Sequence, residues 1–379
     1  MLRFAGVPCR WLPAEGRFAE ALSFARRRAR VVRGRLPLAW PPKDALDEFP
    51  LVPFLFGPHG ENLYDSSAIG VWLDAQGHTQ ASPMLPSDDA ALRFAVRLVD
   101  EALDEFGLYL AHHNRWVVAA RDNDAGVRLA REMRPLLGSL APALGCSFPP
   151  RQVRRLPYLL SVAPDAADFS DLPRRLRPPR RPGFPPTHTL LDDAYAHLVG
   201  ALEPLLGAQP FLFGERFTLA DASVYGQLGM NRADASAHAR LQRVAPEVHA
   251  WLERIAQGKL SDHCLDGQLA LDAAHAPLFA WIAATFVPLM QQNHAAWERH
   301  RSHGEKRFNE EAFDAGRALY DGVLLGWPFR SVAKTFQVRV WLDLLDEWDL
   351  LPGRARSQLE AALQGGLQPG PARPRGRAA

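Results

Sequence analysis

The stretch 214–228, GERFTLADASVYGQL, decides how the chain is read. Thr218 stands where a hydroxyl can cap a helix, and Asp221, three residues on, can reach back to the Thr218 backbone N–H. Phe217, just before the cap, adds a local apolar contact. The continuation, LADASVYGQLGM, is nearly apolar all round, the pattern of a helix central in a bundle. First-turn N–H groups there cannot simply turn to water, so the cap matters more than on a surface helix, by about 1–2 kcal/mol. An ordinary cap explains the pair equally well, and nothing in the motif is catalytic.

The segments around it extend that reading. DDAALRFAVRLVDEALDEFGLYLAHH (88–113) repeats Leu92, Ala95, Val99, Leu103, Phe106 and Leu110 at steps of three and four, predicting a long amphipathic helix. Further helices are predicted over about 123–137, 188–206, 218–233 and 246–256. A Pro- and Arg-rich connection, 146–187, separates two of them and is longer than ordinary loops. After QGK (257–259), residues 275–301 form a helix pair or one helix kinked near Pro288. The glycine-marked patch 320–348 ends in a helix through Trp341, Leu344, Leu345 and Trp348. The last stretch, QGGLQPGPARPRGRAA, has the composition of a disordered tail.

Upstream, LVPFLFGPHGENLYDSSAIGVWLD (51–74) reads as a strand, a PHGE turn, a second strand and, from Ser66, a helix with Ala68, Ile69, Trp72 and Leu73 on one face. Pro53 cannot donate to a sheet ladder, so it belongs at a strand start. If the Val52–Pro53 bond is cis, the Val52 N–H and C=O turn toward a ligand backbone. Asp65, Ser66 and Ser67 enter the helix. Helix-start N–H groups favour a carboxylate, the Ser66 hydroxyl can bond the same carboxylate, and Asp65 can accept from an ammonium. Those jobs suit an amino-acid head group; a plain Asp or Ser N-cap also accounts for these residues.

The chain has 379 residues, 47% hydrophobic, enough for two domains. Lys plus Arg is 44 against Asp plus Glu 42, a net +2 that gives no global case for nucleic acid. Arginines do cluster at 17–35 and in RRLRPPRRP (174–182). These read as solvated faces whose stems cover apolar surface, with a phosphate or acidic-partner patch as the other reading. Cys9, Cys146 and Cys264 have neither metal nor redox spacing, which fits a reducing compartment. Cys9 reads as a buried structural thiol. The start, MLRFAGVPCRWLPAEG, is too short and interrupted for a signal peptide, and no stretch reaches the roughly 18 apolar residues expected of a membrane span. His112 and His113 point apart; His300 and His303 share a face without a metal-spaced acid or cysteine, so no metal site is expected. Tyr109, Trp116, Tyr195 and Tyr225 line either a core or an apolar cleft.

The order Val-Pro, strand, glycine turn, strand, Asp-Ser-x-Ala-Ile, followed downstream by Gly214, Thr218, Ala220 and Asp221, resembles the glutathione S-transferase family. The likeness covers roughly 1–256. It implies a thioredoxin-like glutathione-binding domain over 1–80 and an all-helical domain over 88–256 with a long insertion near 146–187. A helical extension (257–363) and a disordered tail (364–379) would follow. By that resemblance Val52 and Pro53 meet the cysteinyl backbone of glutathione, and Asp65 and Ser66 hold its γ-glutamyl head. The family places a thiol-activating Tyr, Ser or Cys near its first strand and helix. This chain looks as though it starts at the end of that helix, so no residue is assigned that role, and Cys9 is not given it. The implied activity is a cytoplasmic glutathione transferase, open to homodimer formation, acting on a hydrophobic electrophile. The competing reading is a catalytically silent binding or assembly module of the same build. Neither a membrane nor nucleic acid is an expected partner.

Overall fold

The computed structural model describes residues 2, 6–12, 15–38, 46, 53–57, 59–79, 83–259, 266–363 and 367. The first region is mixed α/β. Helix α1 (Phe18–Val32) precedes an antiparallel hairpin of β1 (Phe54–Phe56) and β2 (Asn62–Tyr64), in which Leu55 faces Leu63. Helix α2 (Ser66–Ala75) follows directly. The arginines of α1 serve this hairpin. Arg27 donates to Asn62 Oδ1 at 2.7 Å and to the Glu61 carbonyl at 2.9 Å, while its guanidinium lies 4.6 Å from the Phe56 ring centre; Arg28 lies over Phe54. Among the described residues this sheet has two strands, and GVPCRWL forms neither strand nor helix in its described part. Cys9 is exposed, contrary to the expected buried thiol: Val7 packs on the core, while residues 8–11 are exposed.

The helical region opens with α3 (Ala90–Ala102), continues through a π-helical turn, 103–107, into α4 (Leu108–His113), and ends in a second π-helical turn, 114–118. Then come α5 (Ala125–Leu137), α6 (Ala141–Arg154), α7 (His188–Ala208), α8 (Leu219–Leu228), α9 (Ala235–Val244) and α10 (Pro246–Ala256). The connection expected over 146–187 is therefore helical up to Arg154. Pro149 and Pro150 stand inside α6. The helix survives because α5 and α6 meet at Gly126 and Gly145, where a Cβ on either would come within 2.4 Å of the other's carbonyl oxygen.

The segment after 257 was expected to be helical throughout and is not. Helices α11 (Ala276–Ala284), α12 (Phe286–Ser302) and α13 (Glu310–Asp314) lead into a hairpin of β3 (Leu319–Leu324) and β4 (Trp327–Val332). Helices α14 (Thr335–Asp349) and α15 (Gly353–Ala362) follow. The hairpin turns on Leu325 (φ 51°) and Gly326 (φ 78°), two left-handed residues in succession, as a two-residue turn with matching twist requires. Of the two readings of 275–301 the helix pair is found: α11 and α12 part at Thr285, whose φ and ψ leave the helix, and Pro288 sits in the first turn of α12, where a missing N–H costs little. Residues 273–302 are long and apolar enough to cross a bilayer by length and composition, which revises the expectation that no stretch would be. They break at Thr285, and much of their most apolar part is buried in the fold. Of the expected tail, 364–379, the described part is Leu367, which is buried; the rest lies outside the described residues.

One apolar core runs through these regions, from Leu63, Ile69 and Leu73 through Ala95, Phe106 and Leu198 to Trp341 and Leu359. The capping motif stands at a crossing in it. Asp221 is fully buried; its Oδ2 accepts from the Thr218 N–H at 2.8 Å and the Thr218 hydroxyl at 2.7 Å, and its Oδ1 from the Leu212 N–H at 2.7 Å. Burial pushes its carboxyl up to about 6 against those donors. Gly214 has φ 132° and lies so close to Gln268 that a Cβ would come within 2.5 Å of its carbonyl oxygen. The Glu215 N–H donates to that oxygen at 2.9 Å and the Ala270 N–H to Phe213 O at 2.8 Å, fastening the later segment to the cap.

Candidate functional site

Pro53 and Asp65 meet across the open end of the first hairpin, where the Asp65 N–H donates to the Pro53 carbonyl at 3.1 Å. Pro53 is exposed at the strand start, the place its missing N–H allows. Val52 lies outside the described residues. Asp65 has φ 72° and ψ 128°, a backbone conformation an L-residue holds only at a cost of about 1–3 kcal/mol. The surrounding bonds enforce it. The hairpin fixes the residue's N–H, and its Oδ1 accepts from the Ser67 and Ala68 N–H groups at 2.9 and 3.3 Å, capping α2.

This cap uses two helix-start donors that a ligand carboxylate could otherwise have taken. Asp65 Oδ2, the Ser66 N–H and the Ser66 hydroxyl make no hydrogen bond among the described residues, and Ser66 is half-buried. Asp65, Ser66 and the Pro53 carbonyl are therefore adjacent, with one acceptor oxygen and two donors left over. Desolvation raises the Asp65 carboxyl, opposed by its bond from Ala68 and by the charge of Arg339.

A set of buried acids underlies the start of α2, and sequence reading did not single it out. Ser67, buried, donates its hydroxyl to Asp104 Oδ2 at 3.1 Å, and Gln227 donates to Asp104 Oδ1 at 3.1 Å. Asp100 accepts from the Ser223 hydroxyl of α8. Arg97 lies among them, 2.7 Å from Glu101, 3.4 Å from Asp100 and 3.7 Å from Glu347 of α14. Burial pushes Glu101 up to about 7, Asp104 to about 6 and Glu105 to about 8, and raises Asp100 well above the usual carboxylate range. The available signal was the repeat Asp-Glu at 100–101 and 104–105 on an otherwise apolar helix: acids four apart share a face, and here that face is inside.

The other singled-out side chains are structural. Tyr109, Trp116 and Tyr195 are buried in the core. Tyr225 is half-buried and packs at Gly229. His112 Nδ1 bonds Leu108 O at 2.9 Å, whereas His113 turns inward to Ser161 at 3.1 Å. His300 Nε2 bonds Leu319 O and His303 Nδ1 bonds Arg299 O. Among the described residues no group of His, Cys, Asp or Glu could hold a metal.

The arrangement at Asp65 and Ser66 can hold a zwitterionic head group, cation toward Asp65 Oδ2 and carboxylate toward Ser66. Residues 186–254, which run from just before α7 into α10 and include Thr218 and Asp221, match the family model described as Glutathione S-transferase, C-terminal domain. No curated protein and no solved structure matches the chain. The chain thus has a mixed α/β first region followed by a larger helical region that carries a glutathione S-transferase-type C-terminal domain.

Proposed function

We propose that the chain is a glutathione transferase-like enzyme, in which the γ-glutamyl head of glutathione rests on Asp65 and Ser66 and the Val52–Pro53 backbone meets its cysteinyl unit. The observation that carries this reading is the strained Asp65 held beside Ser66, with unsatisfied groups on both, in a chain whose residues 186–254 match a transferase domain. Thioredoxin-like character of the first region belongs to the same proposal, as do a hydrophobic electrophile as second substrate, a homodimer and a cytoplasmic setting. The chemistry is attack of the glutathione thiolate on an electrophilic carbon. A C–S bond forms, the leaving group departs with its electron pair, and the thiol proton passes to solvent. A free thiol has a pKa near 8.5, so a donor close to the sulfur must lower it.

Calorimetry with glutathione at low salt tests the site. Binding should weaken about tenfold on Ser66→Ala, the loss of one hydrogen bond to a charged group. Absence of both heat and thermal shift at millimolar glutathione would refute the reading. Binding without turnover of an activated aryl halide would leave the silent binding module in its place.

A further inference from the structure

A cavity of about 570 Å³ lies where α6 ends against the connection to α7. Five of its lining side chains are arginines: Arg151 and Arg154 from the last turn of α6, and Arg174, Arg175 and Arg177 from the connection. No acid lines it. Pro150, Val153 and Pro179 supply the apolar remainder.

Most acids in the neighbourhood are committed elsewhere; Asp168, whose Oδ1 accepts from the Ser170 N–H at 2.9 Å, lies outside the lining and feels the charge of Arg177. Asp171 pairs with Arg121 at 2.6 Å, Glu310 with Arg155 at 2.8 Å, Asp314 with Arg181 and Asp165 with Arg180. The side chains of Arg151, Arg154, Arg174 and Arg175 make no ion pair or hydrogen bond among the described residues. Arg177 is held in place through backbone oxygens, Nε on Leu172 O at 2.8 Å and Nη2 on Ser170 O at 2.6 Å, and makes no direct ion pair among the described residues. Placement near a helix C-terminus accounts for Arg151 and Arg154; it does not account for Arg174 and Arg175 across the cavity. The wall is also fixed. The Ala163 N–H bonds Pro179 O at 3.0 Å, and the Thr187 N–H bonds Val162 O at 3.0 Å, so the connection is closed on itself behind the arginines.

We infer that this cavity binds a small polyphosphorylated molecule. Five arginines line the cavity and no carboxylate does, and guanidinium groups match phosphate oxygens in charge and in their forked donor geometry. The volume is that of a small-molecule site. An extended nucleic-acid strand would call for a groove with aromatic rings to stack on, and no aromatic side chain lines this one. The site is independent of the reading of Asp65 and Ser66 and is tested with no glutathione present.

The experiment is calorimetric titration of the full chain with inorganic tripolyphosphate at about 50 and 200 mM salt. The inference expects saturable binding of one equivalent, weaker at the higher salt. It also expects at least about a tenfold loss in Arg174→Gln/Arg175→Gln and in Arg151→Gln/Arg154→Gln. All four side chains are exposed, so the variants should melt as the parent does. Arg232→Gln, which breaks the ion pair with Glu253 of α10 and touches no residue of the cavity lining, should bind unchanged. The inference is overturned by absence of saturable binding up to about 1 mM, by equal losses in Arg232→Gln and the cavity variants, or by a short single-stranded RNA displacing tripolyphosphate at lower concentration.

Discussion

Glu105 offers a direct measure of what the buried acids cost the fold. It lies in the π-helical turn after α3, 9% exposed, with no ion pair among the described residues. Burial and the neighbouring Glu101 and Asp104 push its carboxyl from 4.5 up to about 8, against the opposing pull of Gln337 and Lys334. The folded chain therefore binds this proton more tightly than the unfolded chain does. The associated stability is fully present below pH 4.5 and is lost as pH rises toward 8. At about 1.4 kcal/mol per pH unit, the ceiling on the loss is about 4 kcal/mol at pH 8 and about 1.4 kcal/mol at pH 5.5. Relaxation around a buried charge roughly halves such figures. Glu105→Gln removes the titration at nearly constant shape, at the expense of about 1 kcal/mol if the new amide N–H groups lack partners. The variant should then be more stable than the parent at pH 8 by about 1–2 kcal/mol, a few degrees in Tm, with that advantage falling away or reversing at pH 5.5. Parallel thermal melts of both proteins at the two pH values read this directly. An advantage that is the same at both pH values, or a variant less stable than its parent at pH 8, would refute the argument.

Asp221→Ala should cost about 3 kcal/mol or more, because it strands the Leu212 and Thr218 N–H groups and the Thr218 hydroxyl in a dry interior; a thermal midpoint within about 1 °C of the parent would count against it. Gly214→Ala should destabilise by about 2–4 kcal/mol, since φ 132° strains any side chain and the added methyl meets the Gln268 carbonyl. Limited proteolysis should then cut between 258 and 270 sooner, and an unchanged cleavage rate would show that this junction is not held as described.

What could be read from the sequence divides along a physical line. The hairpin at 54–64, the cap at 218–221 and the long helix from 90 each write their signal within a dozen residues, as turn residues, a hydroxyl-acid pair or a repeat of three and four. The elements that escaped either carry local signals against themselves or lack the usual ones. Helix α6 carries two prolines that argue locally against it, and it persists through the glycine contact with α5. The β3–β4 hairpin turns on Leu-Gly, where Asn-Gly would have advertised it. At the candidate site Asp65 and Ser66 were visible because caps are local, whereas Asp104 was not, because its importance comes from Ser67 and Gln227 reaching it from other helices.

That last dependence bears on how the site would work. The residues offered to a ligand stand on α2 in the first region, but the polar floor beneath them belongs to the helical region, joined through the Ser67–Asp104 bond. The other end of α2 is fastened similarly. Asp74 accepts from the Met84 and Leu85 N–H groups at 3.0 and 2.8 Å, and the Met84 carbonyl takes the first N–H of α8 at 3.0 Å. Helix α2 is thus tied to the capped helix at one end and to the buried acids at the other. A cation arriving at Asp65 Oδ2 would favour the ionised form of a carboxyl whose burial raises it; the Asp65 charge in turn raises Glu101 and Asp104, and the bound cation offsets that charge. Occupation of the site and the protonation of the junction between the two regions are therefore linked through Asp65, next to the acids that Arg97 holds.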